Sequence, residues 1–168
     1  MRIMTSNNLK DAFAGESQAN MKYTIFSDVA NKAGFPNVSR LFKAIAHAEL
    51  VHARNHLKEL GGIAKSVDNL QVAIDGETFE VEEMYPAYKA VAELQGEKGA
   101  VRSTNYALEA EKIHADMYAK AKQIVAGGKD IELGTVQICE VCGYTAEGDA
   151  PDFCPVCGAP HAKFTPFN

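Results

Sequence analysis

The first 138 residues contain no cysteine, and only two of the chain's six prolines, Pro36 and Pro86, precede residue 150. A disulfide or thiolate site is therefore excluded from most of the chain, and little there interrupts helix. No apolar run approaches the roughly 20 residues needed to span a bilayer. Residues 1–17 also lack the apolar centre of a signal peptide, so the expectation is a cytoplasmic protein with no membrane partner. A basic excess is missing too: 17 Lys and Arg face 22 Asp and Glu, for a net charge of -5. Nothing would release counterions from a phosphate backbone, which excludes ordinary nucleic-acid binding. What is present is 168 residues, 46% hydrophobic and 23% charged, enough for one medium domain plus a small module that needs help to fold.

The four cysteines fall together, as Cys139-x-x-Cys142 and Cys154-x-x-Cys157. In a reducing compartment, paired C-x-x-C turns present four thiolates tetrahedrally to one metal ion rather than forming two disulfides. Pro151, Pro155, Pro160 and Pro166 share this tail, so a boundary is expected near Gly134, between domains at 1–133 and 134–168. The 33 residues from Val136 to Asn168 are too few for a self-sufficient core, and metal supplies the staple. Gly143 and Gly158 follow the second thiolate of each pair, where a tight turn aims backbone N–H groups at sulfur. Spacing leaves the metal open between a structural zinc ribbon and a single redox-active iron.

Residues 5–127 read as four helices, broken at Gly34-Phe35-Pro36, Gly61-Gly62, Gly96 to Gly99 and Gly127-Gly128. The stretch Ile63–Asp75 is expected to be the one long crossover between two helical hairpins. Shifting the chain by 62 residues aligns those hairpins: Tyr23 with Tyr85, Ala30 with Ala92, Gly34 with Gly96, and Arg40 with Arg102. The shift also places Ala48-Glu49-x-x-His52-Ala53 on Ala110-Glu111-x-x-His114-Ala115.

On a helix, residues i and i+3 share a face, so Glu49 with His52 and Glu111 with His114 each offer a carboxylate and an imidazole in one direction. Residues equidistant from a hairpin turn lie at one height. The Glu16–Glu49 midpoint is about residue 32, near Gly34; those of Glu80–Glu111 and Glu83–His114 are about 95 and 98, near Gly96. A lone Glu-x-x-His is commonly a solvated surface pair; two in register within a repeat, with acids at matching heights, point to a dinuclear site. Glu16, Glu49, His52, Glu80, Glu83, Glu111 and His114 are its expected ligands. Burying so many carboxylates without cations would cost many kcal/mol or force protonation. One Glu from each of two helices plus Glu-x-x-His from each of two others is a known di-iron and di-manganese pattern of ferritin-like bundles. His47 and His161 have no such geometry, His56 and Tyr23 suit core or supporting positions, and Pro86 should loosen the backbone beside Glu83.

Taken together, Ala12-Phe13-Ala14-Gly15-Glu16-Ser17-Gln18-Ala19, Ala48-Glu49-x-x-His52, Glu80-Val81-Glu82-Glu83-Met84-Tyr85-Pro86, Ala110-Glu111-Lys112-Ile113-His114 and the paired C-x-x-C turns closely resemble rubrerythrin along essentially the whole chain. The resemblance implies an all-α, ferritin-like four-helix bundle followed by a rubredoxin-like β/loop domain. It implies a non-haem di-iron centre in the first and an Fe(Cys)4 iron in the second, with no ligand position missing. It further implies a peroxidase protecting against oxidative stress, which reduces hydrogen peroxide to water with electrons from a nicotinamide-dependent reductase or rubredoxin. Glu83 and His52 would be the catalytic pair, exchanging as ligands when one iron changes oxidation state. A homodimer or larger homo-oligomer is implied, in which one chain's tail feeds another's bundle. A dioxygen-using ferroxidase, or an iron-storage protein with a zinc ribbon, are the alternatives; oxidant preference, colour and metal content separate them.

Overall fold

A computed structural model describes residues 1–168. Helices α1 (Ile3–Lys32) and α2 (Pro36–Glu59) are followed by α3 (Ser66–Phe79), a π-helical turn at Glu80–Met84, α4 (Tyr85–Leu94) and α5 (Lys98–Ala126). The tail holds strands β1 (Val136–Cys139), β2 (Thr145–Glu147) and β3 (Phe164–Phe167), with a 3-10 turn at His161–Lys163. With α3, the π turn and α4 filling the place of one helix, this is a four-helix bundle class with a small antiparallel sheet appended. No helix is long and apolar enough to cross a membrane.

The chain forms two compact units, Met1–Ala64 and Lys65–Asn168. Helix α5 ends at Ala126 and β1 begins at Val136. The small sheet nevertheless shares its unit with α3, α4 and α5.

Helix ends follow the repeat. Gly34 and Gly96 both take positive φ, 81° and 71°, a conformation that costs a residue with a Cβ but not glycine. At the first, the Gly34 N–H donates to Asn31 O and the Phe35 N–H to Ala30 O; at the second, Gly96 donates to Glu93 O and Glu97 to Ala92 O. These paired bonds satisfy carbonyls that would otherwise be orphaned at a helix C-terminus. Pro36 then opens α2, where its missing N–H costs nothing.

In the first unit, the buried residues of α1 and α2 are small: Ser27, Ala30, Ala46 and Ala53. The Asn20 amide donates to the Ala46 carbonyl at 2.7 Å, and the Ser27 hydroxyl to the Ser39 carbonyl at 2.9 Å. Small residues at these four positions let the helices approach closely there. Tyr23 packs in an aromatic group with Phe26 and Phe42, its ring centroid 6.1 Å from that of Phe42.

In the second unit, the connection from α2 is shorter than the expected Ile63–Asp75, because α3 already starts at Ser66. Leu70, Ala73 and Ile74 recur at helical spacing and are half-buried, which outweighs the polar residues between them. Across the unit the Lys89 ammonium donates to Asn105 Oδ1 at 2.8 Å, and Lys122 donates to Gln71 Oε1. The π turn has a local cause: Pro86 carries no N–H to complete an α bond to the Glu82 carbonyl, and the Tyr85 N–H reaches Glu80 O instead. The sheet order is β2-β1-β3, antiparallel throughout, with Ile138 opposite Thr145 and Cys139 opposite Phe164. Its core is Cys139, Cys142, Cys154 and Ala159, packed against Tyr144, Val156, Phe164 and Tyr106 of α5.

The close α1–α2 seam yields a test. Ala46→Leu should lower unfolding stability by about 1–3 kcal/mol through overpacking, whereas the same change at exposed Ala44 should be nearly neutral; denaturant midpoints at constant m-value distinguish them.

Candidate metal centres

The two C-x-x-C turns are built alike: the Gly143 N–H donates to Cys139 O at 2.8 Å and the Gly158 N–H to Cys154 O at 2.9 Å. They bring Cys139 Sγ to 3.6 Å from Cys157 Sγ, and Cys142 Sγ to 3.5 Å from Cys154 Sγ. A disulfide needs about 2.05 Å. A tetrahedral ion with bonds of about 2.3 Å needs sulfurs roughly 3.8 Å apart, so the quartet fits one ion with slight expansion. Burial pushes the Cys142 thiol up, opposed by the Tyr144 N–H and reinforced by the other three sulfurs. At Cys154 burial acts the same way, but N–H groups of Cys157 and Val156 and the neighbouring Cys142 and Cys157 thiols outweigh it and bring the pKa to about 7. Four thiolates cannot share this buried spot without a cation, and the backbone amides have already stabilised the first to ionise.

The helices carry two further clusters, each with ligand atoms within 4.8 Å of one another. In the first unit, α1 supplies Glu16 and α2 supplies Glu49 and His52. His52 Nδ1 lies 2.9 Å from Glu49 Oε2 and 3.6 Å from Glu16 Oε1. In the second unit, α3 supplies Glu77 and α5 supplies Glu111 and His114, with His114 Nδ1 at 2.6 Å from Glu111 Oε2. Each set joins hard carboxylate oxygens to an imidazole, a donor mixture suited to iron or manganese.

Charge crowding in the second cluster is visible in its protonation. Burial, a hydrogen bond with Glu111 and repulsion from Glu111 and Glu80 push the Glu77 carboxyl up from 4.5 to about 7. Burial also raises Glu80, with Glu111 adding to the shift and His114 opposing it. Tyr85 is held above its usual value by burial, then by Glu80, Glu111 and Glu77. Its phenol stays a neutral O–H donor beside the carboxylates.

The structure thus brings Glu16, Glu49 and His52 together as expected, and likewise Glu111 with His114 and the four cysteines. Glu80, at the first position of the π turn, feels both Glu111 and His114. Glu83, expected as a ligand and as the exchange partner of His52, is exposed and outside both clusters; Glu77 stands with Glu111 and His114 instead. Glu83 lies inside the π turn, one α-helical turn's spacing after Glu80 in sequence. The repeat could not show Glu77, since a shift of 62 places Thr78 on Glu16. Two signals could have: Glu77 lies three residues before Glu80, and its midpoint with Glu111, about residue 94, falls near the Gly96 turn. His56 is half-buried outside the clusters, His47 is exposed, and His161 is exposed with Nδ1 donating to Ala150 O at 3.2 Å.

Because Glu77 keeps its proton up to about pH 7, an ion entering this cluster must displace it. Fe(II) or Mn(II) affinity at Glu77, Glu111 and His114 should weaken as pH falls below 7, by up to about tenfold per unit, and Glu77→Gln should flatten that slope; calorimetric titrations across pH check both. For the metal-free fold, the raised Glu77 pKa contributes stability that is full below pH 4.5 and lost as pH rises through about 7.

Comparisons with known proteins agree with this geometry. The rubrerythrin family profile matches residues 7–122, and the rubrerythrin rubredoxin-like domain profile matches residues 137–165. Rubrerythrin-2 of Clostridium acetobutylicum is 44% identical, covering 98% of this chain and 97% of that protein. Nigerythrin of Nitratidesulfovibrio vulgaris is 33% identical, covering 97% and 86%. A solved structure of nigerythrin in a partially reduced state matches with a TM-score of 0.57 at 31% identity, covering 97% of this chain and 86% of that one. With carboxylate–histidine clusters in both helical units and four thiolates in the tail, the chain belongs to the rubrerythrin family and ends in that family's rubredoxin-like domain.

Proposed function

We propose that this chain is a non-haem di-iron peroxidase that reduces hydrogen peroxide to water and protects against oxidative stress, its electrons passing through an Fe(Cys)4 site from a nicotinamide-dependent reductase. One observation carries the proposal: two Glu-Glu-His clusters and one four-thiolate cluster in a single chain of a family whose members are generally peroxidase-type oxidoreductases. Glu16, Glu49 and His52 would hold one ion, and Glu77, Glu111 and His114, with Glu80 beside them, the other. Iron at these places supplies the redox chemistry: one-electron storage among the thiolates and two-electron reduction of the O–O bond among the carboxylates. The overall step balances as peroxide plus two electrons and two protons giving two waters.

The chain's own groups set the conditions for that step. The carboxylates of both clusters would balance the charge of bound ions. Tyr85 keeps an O–H beside Glu77, Glu80 and Glu111, able to donate a hydrogen bond to a developing oxygen anion. The N–H groups of Val156, Cys157, Tyr144 and Ala159 point at sulfur and favour the thiolate form. Exposed Val29, Leu41 and Leu94 support assembly as a homodimer or larger homo-oligomer.

The test uses protein loaded with Fe(II) under anaerobic conditions. Stoichiometric peroxide should oxidise it at least tenfold faster than dioxygen does, and Glu111→Ala should abolish that oxidation. A ferroxidase would show the opposite oxidant preference, and a colourless, zinc-containing tail would remove the relay. A chain ending at Gly128 should retain helix-bound iron yet lose steady-state turnover with the reductase; undiminished turnover would refute the relay.

A further inference from the structure

Thr145 is the only buried polar residue of the tail, at 4% exposure, and lies three residues beyond Cys142 at the start of β2. Its hydroxyl makes two contacts: it donates to the Gly143 carbonyl at 3.1 Å and stands 2.8 Å from His114 Nε2 on α5. A hydroxyl has one proton, and a carbonyl can only accept. When an ion sits among Glu77, Glu111 and His114, the ring gives it the Nδ1 lone pair and carries its proton on Nε2, and the Thr145 oxygen 2.8 Å away accepts that proton while donating its own to Gly143. The lone pair of His114 then sits on Nδ1, the atom facing Glu111 Oε2 at 2.6 Å and gathered with Glu77. Two acceptors that close require a cation between them, a proton in the metal-free chain or an ion in the loaded one.

We propose that Thr145 is a positioning residue which, through one hydrogen bond from the thiolate-bearing tail, fixes His114 as the Nε2–H tautomer and makes Nδ1 its metal ligand. The proposal rests on reading Glu77, Glu111 and His114 as metal ligands. A partner of this kind both selects the tautomer and stops the ring from turning, and removing such partners typically weakens metal binding by about 10–100-fold. The other half of the repeat has no counterpart: His52 is 53% exposed at its side chain, and only its Nδ1 has partners, in Glu16 and Glu49. The two clusters therefore differ in rigidity although their ligand types match. The backbone from Cys142 to Thr145, with Gly143 against Ala110 of α5, places this contact directly between the thiolate quartet and the carboxylate cluster of the same chain.

Full-length, zinc-loaded protein tests this without any turnover. Nitrogen-15 NMR of the His114 ring should show an exchange-protected Nε2–H and a metal-shifted Nδ1 in the wild type. Thr145→Val, close in size but lacking the hydroxyl, should lose the protection and bind zinc at the helical cluster of α3 and α5 about 10–100-fold more weakly. Thr145→Ser should restore both, and Co(II) spectra of the thiolate site should be alike in all three proteins. An Nδ1–H tautomer in the wild type overturns the proposal whatever the variants do. So does a Val variant with unchanged protection and affinity, or a Ser variant that fails to rescue. Loss of peroxide reduction with the NMR pattern intact would sink the peroxidase reading and leave Thr145's role standing.

Discussion

Gathering like charges is the constraint on which the rest of this protein depends. Each helical cluster holds two carboxylates and an imidazole within 4.8 Å, and the tail holds four thiols of which three are buried. Two carboxylates about 4 Å apart repel by about 4 kcal/mol at the effective dielectric of a protein surface. The chain meets this partly by keeping protons, most clearly on Glu77, and partly by aiming amides at sulfur. Both measures offset only part of the repulsion, and a cation among these donors would offset the rest. The scaffold around the clusters serves to hold them against that repulsion. Alanines at the helix seams allow close approach, and the paired turns at Gly34 and Gly96 fix which residues share a height.

Much of this is legible in the sequence because the informative features are short-range. Two C-x-x-C pairs specify a thiolate quartet whatever the surrounding fold, and Glu-x-x-His specifies a shared helical face from the 3.6-residue period alone. The helix stops were readable because only glycine suits the conformation that closes them. The alignment of Tyr23 with Tyr85 also proved informative, since Tyr85 lies beside the second cluster. The start of α3 was harder, because Ser66–Asn69 reads locally as loop and is helical through the apolar side chains that follow.

Glu77 shows where period arguments stop. The sequence between Phe79 and Pro86 offers Glu80, Glu82 and Glu83, and an unbroken α-helix places Glu80 and Glu83 on one face. Pro86 breaks that assumption from downstream. The missing donor widens the turn, and both Glu77 ahead of the π segment and Glu80 at its first position face Glu111 of α5. The proline was visible, and so was its effect on Glu82; the consequence for facing required knowing that the helix would widen instead of kinking. A π turn inside a ligand-bearing helix is also a place where small energies separate alternative registers.

The tail's smallness has a structural consequence beyond its need for metal. A sheet of three short strands cannot enclose four sulfurs, so one wall of the thiolate core is borrowed from α5 through Tyr106. Ala110, the one buried residue of α5, sits where Gly143 approaches; a Cβ at Gly143 would meet it at 3.9 Å, an ordinary contact, so glycine is required there by its positive φ of 79° rather than by space. Ala110, Glu111 and His114 span a single turn of helix. The same turn therefore seats the thiolate module through Ala110, touches it again through His114, and presents the Glu111 carboxylate beside that imidazole. Proximity between the two kinds of site follows from the tail's lack of a core: the wall it borrows is the helix that carries the ligands.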